Sequence, residues 1–168
     1  MVQDEGLAAP DKLLDIRALT VALPPEADRA HAVEDITLTL NRGEVLCIVG
    51  ESGSGKSITA HAVMGLLPEP HVRIVGGEIG FEGQAITALK PTAWRDLRGR
   101  RMGMIFQEPM TALNPVMRIG SQIDEVLSAH IKISSSERQK RVVELLDSVG
   151  LPDPVQLVDT YPFRLSGG

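Results

Sequence analysis

The distribution of apolar residues along the chain predicts a β-rich first part. Two runs with strand character, 13–23 and 32–40, are separated by a loop that contains Pro24 and Pro25. The short continuous run at 45–49 (VLCIV) predicts a strand buried on both faces of an α/β sheet. Further strands are predicted within 72–83, where two are joined at a glycine pair, and at 102–106.

Apolar residues with helical spacing dominate the rest of the chain. The predicted helices cover residues 57–67, 92–97, 119–130 and 134–149. Pro68 ends the first helix, whereas Ser134 and Glu137 form a capping box at the start of the last one and Gly150 follows its end. Strands followed by alternating helix and strand, and then by helices, indicate an α/β protein.

Composition narrows the function classes. The chain has 168 residues, 43% of them hydrophobic, with a net charge of −5 and one cysteine. This size predicts one or two small domains, and no apolar run approaches the ~20 residues that span a bilayer. A single cysteine excludes an internal disulfide and a cysteine-built metal site, and we expect Cys47 to be a small core residue. The acidic balance argues against a nucleic-acid partner, because duplex binding depends on phosphate neutralisation. An arginine cluster is interpreted as a solvated face: Arg95, Arg98, Arg100 and Arg101.

The strongest chemical signal is the segment 50–57 (GESGSGKS), which fits the pattern of a phosphate-binding loop. An apolar run precedes it and a predicted helix follows, as this motif requires. Its small residues allow successive N–H groups to surround phosphate oxygens, and the helix N-terminus adds a positive dipole end. Lys56 would reach the β- and γ-phosphates of a nucleoside triphosphate, and the Ser57 hydroxyl would ligate Mg²⁺. The alternative is a glycine-rich turn with an incidental lysine.

The predicted nucleotide-binding residues at this loop are Gly50, Glu51, Ser52, Gly53, Ser54, Gly55, Lys56, Ser57 and Ile58. Two motifs follow at fixed distances from Lys56. Gln107 comes directly after the apolar run 102–106, 51 residues beyond Lys56, and Ser166 of the terminal Leu-Ser-Gly-Gly lies 110 residues beyond it. Each motif alone is compatible with a structural role, namely a polar strand end for the glutamine and a capped helix with a turn for the serine and glycines.

In this order and spacing, the three motifs resemble the ATP-binding subunit of ABC transporters. The stretch 106–115 (FQEPMTALNP) and the Tyr-Pro at 161–162 are similar to those of the oligopeptide and dipeptide importers, a group that also includes glutathione and nickel importers. The resemblance covers residues 13–168. It implies an α/β P-loop NTPase (RecA-like) core with an N-terminal antiparallel β part and an inserted helical subdomain. The implied organisation is a flexible tail at 1–12, the β part and ATP-binding core at 13–107, and the helical subdomain at 108–168.

The resemblance also implies roles for the outer motifs. Gln107 would touch Mg²⁺ or the attacking water and act with Lys56 in hydrolysis. Ser166 and Gly167, with Gly168, would contact the γ-phosphate held by the opposite subunit of a head-to-tail dimer. The implied partners are a second ATP-binding subunit, membrane-embedded permease subunits and, indirectly, a solute-binding protein, which places the protein at the cytoplasmic face of the cell membrane.

The sequence departs from the family pattern at two positions. Residues 21–29 contain no aromatic residue for stacking on adenine, and Leu23 stands where related importers often have Phe. His31 is the nearest ring, although an ordinary histidine at a strand edge is the simpler interpretation. Phe163 stands where these importers usually carry His. Adenine stacking, worth ~1–3 kcal/mol per base, is therefore expected to be weakened.

The family also hydrolyses ATP with an apolar strand that ends in Asp-Glu and with a later His, both of which normally follow Leu-Ser-Gly-Gly. Neither is found within 1–168, so the chain is interpreted as the N-terminal portion, truncated before that strand. We expect residues 1–168 alone to bind nucleotide at most, without turnover. The resemblance also implies that the missing strand pairs beside 45–49, so the isolated chain is expected to be poorly soluble.

The predicted function is that of the ATP-binding subunit of an importer of peptides or similar small solutes. One alternative is an ABC-type ATPase of DNA repair or chromosome organisation, although no heptads or cysteine pairs separate the motifs. Another is a catalytically inert nucleotide-binding remnant.

Overall fold

A computed structural model describes residues 11–106 and 112–165. The chain divides into two compact units, residues 1–94 and 95–168. The functional division after residue 107 comes from the family resemblance and stays a prediction. The strands are β1 (Lys12–Ala22), β2 (His31–Asn41), β3 (Arg73–Phe81) and β4 (Gln84–Ala85). The helices are α1 (Lys56–Val63), α2 (Pro91–Leu97), α3 (Ile119–His130), α4 (Ser135–Ser148) and α5 (Pro154–Leu157). A 3-10 turn covers Pro162–Arg164.

The first unit is built on an antiparallel sheet in the order β2-β1-β3-β4. β1 is one of the two inner strands, and its Ile16 is paired with Leu38 of β2 and Ile79 of β3. The side chains of Ile16, Leu19, Val21 and Ile79 are completely buried. This confirms the predicted antiparallel β part. Leu19 and Val21, two positions apart, lie on the same face of β1, and an irregularity in the strand register separates Leu19 from Ile16.

β3 is one continuous strand, whereas the sequence analysis predicted two strands joined at the glycine pair. The cause is a register shift in β1 between Arg17 and Thr20, where Ala18 has a φ of 49°. Gly77 has a φ of 81° and lies so close that a Cβ would be 2.4 Å from the Ala18 carbonyl oxygen. Glycine is thus needed for close approach to this bulge, and it does not end the strand.

The run 45–49 is the clearest correction to the sequence analysis. Val45 and Val49 are 88% and 89% exposed, Cys47 is exposed, and no residue of the run lies in a paired strand. A strand forms only when a neighbour accepts its backbone hydrogen bonds, and within 11–106 and 112–165 no strand pairs beside this run. The same reason applies to 102–106, where Met102 makes an isolated bridge to Arg98 and Ile105 is 93% exposed.

These exposed valines carry a testable consequence for solubility. We expect Val49→Lys to raise the concentration at which residues 1–168 stay monomeric by about tenfold, because burying one valine side chain contributes roughly 1.5 kcal/mol to association. Light scattering against concentration measures this. Val126→Lys, which replaces an exposed valine of α3 in the other unit, is the control. Equal gains from both variants would show that general charge, and not the 45–49 run, governs association.

The second unit is a small helical assembly. Ile119 and Leu127 of α3 pack with Val142 and Leu146 of α4 in its core. An ion pair between Arg138 Nε and Asp124 Oδ1 at 2.7 Å also joins the two helices. The predicted helical character of this region is therefore correct. None of the helices in 11–106 and 112–165 has the length and apolar content that crossing a membrane requires.

The predicted capping box of α4 is present. Ser134 is the N-cap, its Oγ accepts from Glu137 N–H at 3.3 Å, and its own N–H donates to Glu137 Oε2 at 2.9 Å. Bonds from the Ser134 hydroxyl and then from its backbone N–H lower the pKa of Glu137 below its ordinary value of 4.5. The bonds that the Glu137 carboxylate accepts are therefore strongest while it is ionised, whereas the bond from the Glu137 backbone N–H to Ser134 Oγ does not depend on that charge.

We expect Ser134→Ala to lower the free energy of unfolding by about 1 kcal/mol at neutral pH. Because the pKa of Glu137 is lower in the folded than in the unfolded chain, its contribution is complete above pH 4.5 and is lost as the pH falls through the lowered value. Urea unfolding at neutral pH and at a pH below the lowered pKa of Glu137 measures the difference. Glu125→Gln on α3 is the control, and a Ser134→Ala effect independent of pH would refute the role of the carboxylate.

Candidate functional site

The glycine-rich segment forms an exposed loop that leads directly into α1. Gly53 and Gly55 have φ values of 80° and 94°, which is the left-handed region that glycine adopts without strain. Gly55 is the N-cap of α1, and Lys56 is its first residue. The Thr59 N–H and hydroxyl both donate to the Gly55 carbonyl oxygen, at 2.9 and 3.0 Å. The sequence therefore makes a sharp turn whose N–H groups lie at the positive end of a helix.

Strand β2 supports this turn from behind. A Cβ on Gly55 would lie 2.2 Å from Val33 Cγ1 and 2.7 Å from the Ala32 carbonyl oxygen. Both distances are far below van der Waals contact. Gly55 is accordingly required for space as well as for backbone conformation, and the antiparallel sheet fixes where the loop meets α1.

The Lys56 ammonium is folded back onto the loop. Its Nζ donates to the carbonyl oxygens of Gly50 at 2.7 Å and Glu51 at 2.6 Å, and it lies 3.2 Å from Ser54 Oγ. These three bonds satisfy all the donors of an ammonium group. An anion that binds Lys56 in this loop must therefore supply oxygen acceptors in place of the Gly50 and Glu51 carbonyl oxygens.

Ser57 and Ile58 complete the first turn of α1. The Ser57 side chain is exposed and Ile58 is half-buried. A serine hydroxyl is a hard oxygen donor of the type that Mg²⁺ accepts beside phosphate oxygens. Ser57 thus has the donor chemistry and the accessibility that the predicted Mg²⁺ ligand requires.

Sequence reasoning missed Arg29, which lies in the loop between β1 and β2. Its Nη2 donates to the Gly53 carbonyl oxygen at 2.5 Å. A hollow of about 390 Å³ adjoins this contact and is lined by residues of 29–36 and by Ser54. His31 borders this hollow, with its Nδ1 3.7 Å from Glu34 Oε1. No motif marks Arg29, because the contact joins residues that are distant in sequence.

The other predicted site residues, Gln107, Ser166, Gly167 and Gly168, lie outside the described residues. Their described neighbours are Phe106, which is 40% exposed, and Leu165, which packs against the helical core. The structure therefore describes the phosphate-loop part of the predicted site.

An aromatic pair precedes the Leu-Ser-Gly-Gly motif. The rings of Tyr161 and Phe163 are stacked with centroids 5.7 Å apart, and Phe163 is 68% exposed. Hydrogen bonds to Tyr161 and then to Asp159 raise the pKa of Arg118, whose Nη1 lies 2.6 Å from Asp159 Oδ1. These contacts anchor the segment that leads into the motif.

Comparison with known proteins gives the family of this chain. The profile of the ABC transporter family matches residues 33–168, which include the phosphate loop and the Leu-Ser-Gly-Gly motif. The chain belongs to the ABC transporter family. This confirms the resemblance drawn from the three motifs.

The curated relatives of this ABC chain include two transport ATP-binding proteins. The chain is 45% identical over 157 residues to the oligopeptide transport ATP-binding protein OppD of Bacillus subtilis (strain 168). The alignment covers 94% of this chain and 44% of that protein. The chain is 43% identical over 156 residues to the probable D,D-dipeptide transport ATP-binding protein DdpD of Escherichia coli (strain K12), at 93% and 48% coverage. The chain thus spans about half the length of the curated relatives it matches.

Solved ABC structures share its fold. The dimeric structure of MJ0796, a bacterial ABC transporter cassette, superimposes with a TM-score of 0.76 at 23% identity, covering 92% of this chain and 63% of that one. A post-hydrolysis dimer of the same cassette bound to ADP and Pi gives a TM-score of 0.73. The predicted fold class, an α/β P-loop NTPase with an antiparallel β part and helices, is therefore confirmed.

Proposed function

We propose that this ABC chain is the nucleotide-binding portion of an importer subunit that couples ATP binding and hydrolysis to uptake of peptides or similar small solutes. The observation that carries the proposal is the loop 50–57, in which a lysine ammonium and backbone N–H groups gather at the N-terminus of α1. Burying a triphosphate requires dense, fixed donors of this kind. The names of OppD and DdpD support peptides as the solute class.

On ATP binding, the Lys56 ammonium leaves the carbonyl oxygens of Gly50 and Glu51 and binds the β- and γ-phosphates. The exchange is favourable because a charged phosphate oxygen is a stronger acceptor than a neutral carbonyl. Ser57 would hold Mg²⁺, which neutralises phosphate charge when bound. The N–H groups at the start of α1 bind the remaining phosphate oxygens.

Gln107 is proposed to contact Mg²⁺ or the attacking water, and Ser166 and Gly167 to contact the γ-phosphate held by a second ATP-binding subunit. The dimeric state of the MJ0796 cassette supports such a pairing. We further propose membrane-embedded permease subunits and a solute-binding protein as partners, which places the subunit at the cytoplasmic face of the membrane.

Two measurements test the proposal. The first is equilibrium binding of ATP with Mg²⁺, and the second is co-purification of tagged protein with membrane-embedded subunits, compared with binding to duplex DNA. We expect saturable ATP binding, recovery of permease subunits and no DNA binding above the level of an unrelated acidic protein. Failure to bind ATP, or DNA binding without permease recovery, would overturn the proposal.

A further inference from the structure

Arg29 makes a direct contact with the phosphate loop from a different part of the chain. It lies in the loop between β1 and β2, and its Nη2 donates to the Gly53 carbonyl oxygen at 2.5 Å. Arg29 is exposed, and fixing such a long side chain costs up to about 2 kcal/mol of conformational entropy. A charge-assisted hydrogen bond is among the few surface contacts that can offset this cost.

The residue that Arg29 contacts, Gly53, has open space where a side chain would lie. Gly53 has a φ of 80°, and within 11–106 and 112–165 no atom apart from its chain neighbours lies within 4 Å of the position a Cβ would occupy. Glycine without packing neighbours has wide conformational freedom, so the Gly53–Ser54 peptide can rotate unless a hydrogen bond holds it. Two hydrogen bonds hold this peptide, and the contact from Arg29 to its carbonyl oxygen at 2.5 Å is shorter than the one from its N–H to the Glu51 carbonyl oxygen at 3.3 Å.

The orientation of this peptide decides where the next donor points. A trans peptide is planar, so its C=O and N–H point in opposite directions. With the Gly53 carbonyl directed to Arg29, the Ser54 N–H is directed into the loop, where it donates to the Glu51 carbonyl oxygen at 3.3 Å. The Lys56 ammonium binds the same oxygen at 2.6 Å. Two donors thus converge on one acceptor, as they would on a phosphate oxygen.

We infer that Arg29 is a positioning residue of the phosphate loop: its guanidinium holds the Gly53 carbonyl outward and thereby keeps the Ser54 N–H directed, with Lys56, at the phosphates of a bound nucleotide. This inference rests on the proposed function, since it requires a nucleotide at the loop. It assigns Arg29 to the phosphates and not to the adenine base, although the adjoining hollow is open beside it.

The test compares ATP with tripolyphosphate, which has no base, each in the presence of Mg²⁺. We expect Arg29→Ala to weaken both by the same factor, about threefold to tenfold, as the loss of one hydrogen bond predicts. Arg29→Lys should restore most of the affinity, because an ammonium can also donate to Gly53. In the nucleotide-free protein, the ¹³C′ resonance of Gly53 and the ¹⁵N resonance of Ser54 should shift in Arg29→Ala.

Arg42→Ala is the matched control, because Arg42 is another exposed arginine of the first unit and pairs with Asp11 and Glu82 at 2.8 Å. It should change neither affinity nor the two resonances. A loss for ATP but not for tripolyphosphate would assign Arg29 to the base and overturn the inference. Unchanged affinity, or weaker binding with unmoved resonances, would also overturn it. A wild-type protein that binds neither probe would instead refute the proposed function itself.

Discussion

Lys56→Ala is expected to weaken ATP binding about a hundredfold. The ammonium makes two close bonds to carbonyl oxygens at 2.6 and 2.7 Å. Under the proposed function, bonds to phosphate oxygens would replace them in the ATP complex. Loss of two charge-assisted bonds to the triphosphate costs roughly 3 kcal/mol, and ~1.4 kcal/mol corresponds to a factor of ten in affinity. Equilibrium titration with ATP and Mg²⁺ measures the change.

Lys90→Ala serves as its control, because Lys90 is an exposed lysine of the same unit. It should bind ATP as the wild type does. Lys56→Ala should also keep nearly the wild-type free energy of unfolding, because the bonds it removes are exposed. Comparable losses of affinity in the two variants would mean that net charge, and not the position of the ammonium, determines binding.

Gly55→Ala is expected to destabilise the first unit by about 3 kcal/mol or more. A φ of 94° costs a residue with a Cβ roughly 1–2 kcal/mol, and the added methyl group would lie 2.2 Å from Val33 Cγ1 and 2.7 Å from the Ala32 carbonyl oxygen. The backbone oxygen cannot move away as a flexible side chain could, so overpacking adds another 1–3 kcal/mol, approximately. Urea unfolding measures the loss.

Gly53→Ala separates the two contributions. Gly53 has a φ of 80° in the same loop, yet among the described residues a Cβ there would meet only its own chain neighbours within 4 Å. We expect this variant to lose only the conformational part, about 1 kcal/mol. If Gly53→Ala and Gly55→Ala are equally destabilised, then packing of the loop against β2 does not contribute.

Local signals explain what the sequence could predict. β1 and β2 follow from alternating apolar positions, and α4 follows from its capping box and the glycine after it. Each of these signals acts between residues close in sequence, so no knowledge of the remaining structure is needed. The phosphate loop belongs to the same class, because its glycines, lysine and serine are consecutive.

Predictions failed where a feature depends on distant residues. The run 45–49 and residues 102–106 have the apolar character of buried strands, but burial requires neighbouring strands, and the described residues supply none beside them. The sequence analysis takes the glycine pair in β3 as the junction of two strands. The bulge at Ala18 that the pair accommodates lies in another strand, so no local signal reveals it. An apolar pattern predicts a preference for a buried strand, and the strand forms only where a neighbouring strand pairs with it.

By itself, the sequence determined the glycine-rich loop 50–57, the helix that follows it and membership of the ABC transporter family, because these depend on the identity and spacing of residues along the chain. Only the tertiary structure revealed that β2 closes the space behind Gly55 and that Arg29 binds the Gly53 carbonyl. Both contacts join residues more than 20 positions apart, which become neighbours because the sheet brings the start of β2 against the loop. Packing of the sheet, and not the spacing of residues along the chain, therefore determines these two contacts.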